Sequence, residues 1–229
     1  MKQRIGGTKS TNGQERLGGP ERSFRAAHVA GTEGTGTTSA LVAAALRKAG
    51  RSTGLYTSPH VDRVQERIRI DGNDVSDEVL AFSIERALAA RAGALAEGTA
   101  GAVATWFDLL TAAGFLVFAE ARVEWAVVEC GLGGRLDSTN VVAGEVCVVT
   151  NIELEHTTVL GSTRTAIARE KIGILKRGST LVTGVLADPS PSAGDDPACV
   201  IDEIARDMRC PVLRPASLAP TMLGRNVDL

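Results

Sequence analysis

The chain has 229 residues, enough for one sizeable core, and its 25 basic and 27 acidic side chains leave a formal charge of −2. That balance gives no reason to expect a nucleic-acid binder, and 44% hydrophobic residues argues against a wholly disordered chain. The longest apolar stretch, LLTAAGFLVFA at 109–119, is too short to cross a bilayer, and the polar start MKQRIGGTKSTNGQERLGG lacks a secretory hydrophobic segment. Cys130, Cys147, Cys199 and Cys210 form no close pair and no metal-type spacing, so the expectation is a cytoplasmic protein with free thiols.

Residues 1–20 are polar and glycine-rich and read as a loose lead-in to a domain spanning 21–229. Within them GTKSTNG, at 7–13, has the composition of a phosphate loop but no strand on either side. Residues 25–30 (RAAHVA) predict a strand, 38–49 (TSALVAAALRKA) an Ala/Leu-rich helix stopped by Gly50, and 53–57 (TGLYT) a second strand. Ser76 opens a helix to about residue 91, with Glu78 in its first turn. A largely apolar helix follows at 108–120. Then come WAVVEC (125–130) and EVCVVT (145–150), short β-branched runs of the kind buried on both faces of a parallel sheet. Residues 163–172 and 200–208 read as helices and 180–183 and 211–213 as strands, with 186–197 (LADPSPSAGDDP) a surface excursion. This alternation predicts a doubly wound, mostly parallel α/β sheet.

The segment HVAGTEGTGTTS (28–39) lies between a predicted strand and a predicted helix, where backbone N–H groups and a helix N-terminus hold phosphate oxygens. Gly31 and Gly36 have phosphate-loop spacing, but the lysine slot holds Thr35. The candidate nucleotide contacts are Gly31, Thr32, Glu33, Gly34, Thr35, Gly36, Thr37 and Thr38. Gly34 and Gly36 let the backbone close around an anion, Thr37 offers a hydroxyl to Mg²⁺, and Thr38 offers another to phosphate. The competing reading is a tight turn with no ligand. Loss of the lysine removes a charge-assisted hydrogen bond of roughly 1.5–3 kcal/mol. Glu33 adds a repelling charge unless it turns outward or helps hold a metal.

Four further side chains fall at or just past the C-terminal ends of predicted strands, or on the next helix: Ser58 in YTSPH, Glu129 in VVECGLGG, His156 in IELEH and Lys171 in REKIGILK. Open α/β sheets bind ligands along that edge. Glu129 ends a buried run, where a carboxylate is costly unless paired or metal-bound. Each also has a structural account: a turn at Ser58, a cap at Glu129, a satisfied histidine at His156, a solvated lysine at Lys171. His60 is placed to orient the Ser58 loop, and His28 lies in or beside a strand. CGLGGRLDSTN (130–140) combines three glycines in four positions with Arg135, Asp137, Thr139 and Asn140, which lock the turn or touch a ligand.

Together LGGPERSFRAAHVAGTEGTGTTS, GLYTSPHVDRVQERIRIDG, TWFDLLTAAGF, VVECGLGGRLDSTNVV and NIELEHTTVLGSTRTAIAREKIGILKRG resemble the folylpolyglutamate synthase/dihydrofolate synthase family of Mur-type ATP-dependent amide ligases. The resemblance implies a central ATP-binding domain and a smaller C-terminal α/β domain, the latter absent from these residues. It implies a monomer that takes a pterin or folate carboxylate and L-glutamate, makes an acyl phosphate with ATP, and then forms the amide, with no nucleic acid or membrane involved. Two Mg²⁺ ions are implied. Thr37, Ser58 and Glu129 would hold one, Glu129 and His156 the other, and a carbamylated Lys171 would add a ligand, making Glu129, His156 and Lys171 the catalytic set. His60, Asp108, Arg135, Asp137 and Asn140 would support the loops or the substrate. The chain departs from the family pattern at Glu33 (for Asn), Thr35 (for Lys), Glu155 (for Asp) and Asp108 (for Glu). Two other readings stand beside it: a divergent nucleotide-binding paralogue with another acceptor or lost catalysis, and a non-enzymatic α/β binding domain.

Overall fold

The computed structural model describes residues 13–187 and 195–215. Six residues of the 7–13 motif and most of the 186–197 excursion lie outside them.

The strands are β1 (Arg25–Ala30), β2 (Thr53–Tyr56), β3 (Ile68–Ile70), β4 (Asn73–Asp74), β5 (Trp125–Glu129), β6 (Gly144–Val149), β7 (Thr180–Thr183) and β8 (Val212–Leu213). They form a sheet in the order β4-β3-β2-β5-β1-β6-β7-β8. From β2 to β8 every pairing is parallel; β3 and β4 add an antiparallel hairpin at one edge. The hairpin was not among the predicted elements. It turns at Asp71-Gly72, both with positive φ (48° and 88°), as a tight two-residue connection requires. The central β1 and β5 are buried on both faces, which is why RAAHVA and WAVVE lack polar alternation.

The helices are α1 (Thr35–Lys48), α2 (Asp77–Ala96), α3 (Trp106–Glu120), α4 (Thr157–Leu160), α5 (Arg164–Lys171) and α6 (Pro197–Asp207). α1 starts three residues before its predicted boundary because Gly34, not a side-chain cap, precedes it. Ser76 caps α2 as expected, through Val79 N–H, but the helix runs on to Ala96 on its alanine-rich sequence. Thr105 and Asp108 form a reciprocal capping box on α3, whose residues 110–118 are all buried. The predicted 163–172 helix is α5, capped by Thr163 and preceded by the four-residue α4. α6 begins before its predicted boundary, at Pro197, with Asp196 as its cap.

α1 packs on one face of the sheet, where Ala43 meets Ala27, Val29, Leu55, Val127 and Val148. The other face carries α2 and α3 over Tyr56, Ala126 and Val128, and α5 and α6 over Cys147, Val149 and Leu181. Helices on both faces make this the expected doubly wound arrangement. Of the lead-in, residues 13–20 are described, with Gln14 buried and Arg16 paired to Glu97. All four cysteines are free, and among the described residues no helix is long and apolar enough to cross a membrane.

At β2 the sheet and α3 approach so closely that a Cβ on Gly54 would lie 2.6 Å from the ring of the fully buried Phe118. Gly54→Ala is therefore expected to destabilise the fold by about 1–3 kcal/mol. The check is a lower urea midpoint at unchanged slope.

Candidate functional site

The glycine loop runs from the end of β1 to α1, and it is pinned before any ligand is considered. The Thr32 and Glu33 N–H groups both donate to Asn151 Oδ1, at 3.2 and 2.8 Å, and the Thr150 hydroxyl donates to the Glu33 carbonyl at 2.7 Å. Thr32 Oγ1 accepts from Glu153 N–H at 3.0 Å. A Cβ on Gly31 would fall 1.8 Å from Thr150 Oγ1, so this position takes only glycine. The Glu33 side chain is exposed, which removes its charge from the loop's interior. The loop leads into α1, whose first-turn N–H groups have no acceptor within the helix. Thr38 Oγ1, buried in that turn, has no hydrogen-bond partner among the described residues.

Glu129 ends β5 beside the loop, with its residue only 3% exposed. One carboxylate oxygen accepts from the Thr35 hydroxyl at 2.5 Å, and the other accepts from the Ser58 backbone N–H at 2.9 Å. Burial pushes its pKa up, and these two hydrogen bonds offset part of that. Glu129 thus joins the ends of three neighbouring strands, β1, β5 and β2, at one point.

Lys171 lies in a second group at the C-terminal end of α5. It is 1% exposed, and its Nζ donates to the Gly31 carbonyl at 2.5 Å and to Glu155 Oε1 at 2.7 Å. His156 is exposed, in a left-handed conformation (φ 44°) just before α4. Among the described residues no hydrogen bond links its ring to Glu129 or Lys171, and no three His, Cys, Asp or Glu side chains converge as a metal-ligand group.

The supporting residues form a lattice around the loop at 130–140. Asp137 accepts from the N–H groups of Gly131, Leu132 and Thr139 and from the Thr139 hydroxyl. Burial raises its pKa, opposed by these bonds. Arg135 pairs with Glu170 at 2.7 Å, and Asn140 donates to the carbonyls of Arg135 and Gly173. Asp108, besides capping α3, accepts from the Ser138 hydroxyl at 2.6 Å. His60 Nδ1 accepts from Arg67 Nε at 2.8 Å, and the Arg67 guanidinium lies over Trp106, 5.1 Å from the ring centroid. Ser58, Arg67, Trp106, Phe107, Gly131 and Asp137 line a cavity of about 410 Å³.

Several residues that shape the site were not among the candidates. Asn151 had a signal, a turn-forming side chain just after a β-branched run. Arg67, Trp106 and Phe107 had none beyond their place in the matched segments.

Known relatives are similar in both sequence and fold. The dihydrofolate synthase/folylpolyglutamate synthase of Bacillus subtilis (strain 168) is 43% identical over 171 residues, 74% of this chain and 39% of that protein. The human mitochondrial folylpolyglutamate synthase is 38% identical over 186 residues, 81% of this chain and 30% of its own length. A solved FPGS–AMPPCP–folate complex superposes with a TM-score of 0.84 at 36% identity, over 93% of this chain and 50% of that one. Escherichia coli FolC in complex with DHPP and ADP superposes with a TM-score of 0.80 at 30% identity, over 94% and 49%. The chain belongs to the folylpolyglutamate synthase/dihydrofolate synthase family. It spans about two fifths of the length of the first two curated relatives, and no protein-family model matches it.

Behind the glycine loop lies a buried polar chain. His28 Nε2 is 2.9 Å from Thr139 Oγ1 and 3.2 Å from Cys130 Sγ, and Nδ1 has no hydrogen-bond partner among the described residues. Burial, with Lys176 nearby, lowers the His28 pKa to about 3, and burial raises the Cys130 thiol well above its usual value. Both are neutral at pH 7, so this pair is not an activated nucleophile. The unfolded chain protonates His28 near pH 6.5, before the folded chain does. The resulting stabilisation is fully present above pH 6.5 and is lost as pH falls towards 3. Denaturant titrations are expected to show a steeper loss of stability over that window in the wild type than in His28→Gln; parallel curves would contradict it.

Proposed function

We propose that this chain carries the nucleotide-binding machinery of an ATP-dependent amide ligase that joins L-glutamate to a folate or dihydropteroate carboxylate through an acyl phosphate. The observation that carries this reading is the meeting of three elements: a glycine loop, an α-helix N-terminus with no side-chain cap, and the buried Glu129 carboxylate beside Ser58.

In this reading the N–H groups opening α1 hold the phosphate oxygens, and the unpartnered Thr38 hydroxyl donates to one of them. Glu129 suits a hard divalent cation: it is buried, has no ion-pair partner among the described residues, and is held by two neutral donors. Glu129 would hold Mg²⁺ with the Ser58 and Thr37 hydroxyls. When bound, the metal supplies charge neutralisation at the transferring phosphoryl group. Lys171, buried against the Gly31 carbonyl and Glu155, is the side chain that the resemblance assigns to carbamylation.

The cavity beside Ser58 supports an acceptor of matching shape. Trp106 and Phe107 offer flat apolar surface, and Arg67 brings a largely buried guanidinium that has no carboxylate within ion-pair distance among the described residues. A planar aromatic acid fits these walls. Asp137 holds the cavity's floor, with both carboxylate oxygens engaged by the 131–139 loop.

The paralogue reading is favoured by one observation, the Thr35 hydroxyl on Glu129 where a loop lysine would otherwise stand. Phosphate release with dihydropteroate and glutamate separates ligation from nucleotide binding alone.

Calorimetric titration of ATP is expected to show Mg²⁺-dependent binding, weakened by about tenfold or more in Glu129→Gln. Binding indifferent to Mg²⁺, or to Glu129→Gln, would contradict the metal assignment. No nucleotide binding would contradict the whole reading.

A further inference from the structure

Arg67 stands just before β3 and is 7% exposed, so its charge is drawn away from water without a carboxylate at ion-pair distance among the described residues. Two other side chains hold it. His60 Nδ1 accepts from Nε at 2.8 Å, and Trp106 lies under the guanidinium, with Cζ 5.1 Å from the ring centroid. Arginine Nε can only donate, so Nδ1 is the accepting nitrogen and the ring's proton sits on Nε2. His60 is itself fixed locally. Glu66 accepts from the N–H groups of Val61, Asp62 and Arg63 at 2.9, 3.0 and 2.7 Å, which ties the turn after His60 back to the residue before Arg67.

With Nε taken and one face on Trp106, the guanidinium keeps its two terminal nitrogens, which make no hydrogen bond among the described residues. Arg67 lines the cavity of about 410 Å³ together with Ser58, whose N–H holds Glu129. We propose that His60 is a positioning residue for the acceptor: by holding Nε it sets the roll of the Arg67 guanidinium on Trp106, so that Nη1 and Nη2 present a two-pronged site to a carboxylate in the cavity. This rests on the reading of that cavity as the acceptor site. A fork of two N–H donors matches the two oxygens of a carboxylate and not its neutral amide, which offers one oxygen and a competing donor. Without His60, Nε becomes a buried donor with no partner, and the guanidinium turns to satisfy it at the expense of the fork. Glutamine at position 60 keeps an accepting oxygen for Nε and dispenses with the ring.

The test is calorimetric titration of the full chain with dihydropteroate and with its carboxamide, alongside Mg²⁺-ADP as a control for the fold and the glycine loop. His60→Ala is expected to weaken dihydropteroate binding by about tenfold or more, the size of one charge-assisted hydrogen bond. The carboxamide and Mg²⁺-ADP are expected to bind this variant as they bind the wild type. His60→Gln is expected to recover most of the loss. In the ligand-free wild type, ¹⁵N-NMR of the histidine rings at neutral pH is expected to place the His60 proton on Nε2. Wild-type affinity for dihydropteroate in His60→Ala would overturn the proposal. So would an equal loss for acid and carboxamide, which would make His60 a part of the wall and not of a carboxylate site. A His60→Gln variant as weak as His60→Ala, or a His60 proton on Nδ1, would overturn it as well. Wild type that binds Mg²⁺-ADP but neither dihydropteroate nor its carboxamide would remove the acceptor reading, and the proposal with it.

Discussion

A buried carboxylate at the end of a parallel strand has to be answered by its neighbours, and in this chain that requirement organises the site. Glu129 is carried out of the hydrophobic run of β5 into a position where water barely reaches it. Its two oxygens are met from opposite sides, by the Thr35 hydroxyl at the start of α1 and by the Ser58 N–H beyond β2. Since β2, β5 and β1 are adjacent in the sheet, one side chain fixes how the loops after three strands sit relative to each other. The right-handed crossovers of a doubly wound sheet bring those loops to the same edge, and Glu129 locks them there.

Around that point the polar groups divide into two sets. One set is already satisfied by the protein: Asp137 by four donors, Asn151 by the loop N–H groups, Asn140 by two carbonyls and Lys176. These residues build walls. The other set has bonding capacity to spare among the described residues: the N–H groups opening α1, which no side chain caps, the Thr38 hydroxyl, and Glu129, held by two neutral donors. A set of donors beside one carboxylate suits a metal-bridged polyphosphate. The neutral His28–Cys130 pair beneath the loop adds no charge to it.

Much of the fold was legible because its signals are local. RAAHVA, WAVVEC and EVCVVT show the unbroken apolar character of strands covered on both faces, and Ser76 marked a helix start that the structure keeps. The β3–β4 hairpin escaped because its strands have three and two residues, too short for alternation to emerge, although Asp71-Gly72 is a strong turn pair. The short α4 was missed for a similar reason, since four residues of helix carry no periodicity. The site was legible as residue types at strand ends but not as bonds. Ser58 meets Glu129 through its backbone rather than its hydroxyl, Asn151 holds a loop 118 residues earlier, and Lys171 finds Glu155 outside any helical spacing. Such contacts depend on how the strands are ordered in space, which one sequence does not encode locally.

The central claim is that Glu129 marks where metal and phosphate meet at the glycine loop. Crystals grown with Mn²⁺ and ADP, measured at the manganese absorption edge, test it most directly. The account predicts an anomalous peak bonded to the Glu129 carboxylate, with the nucleotide's phosphates against the N-terminus of α1. A nucleotide bound elsewhere, or manganese with no bond to Glu129, would contradict it.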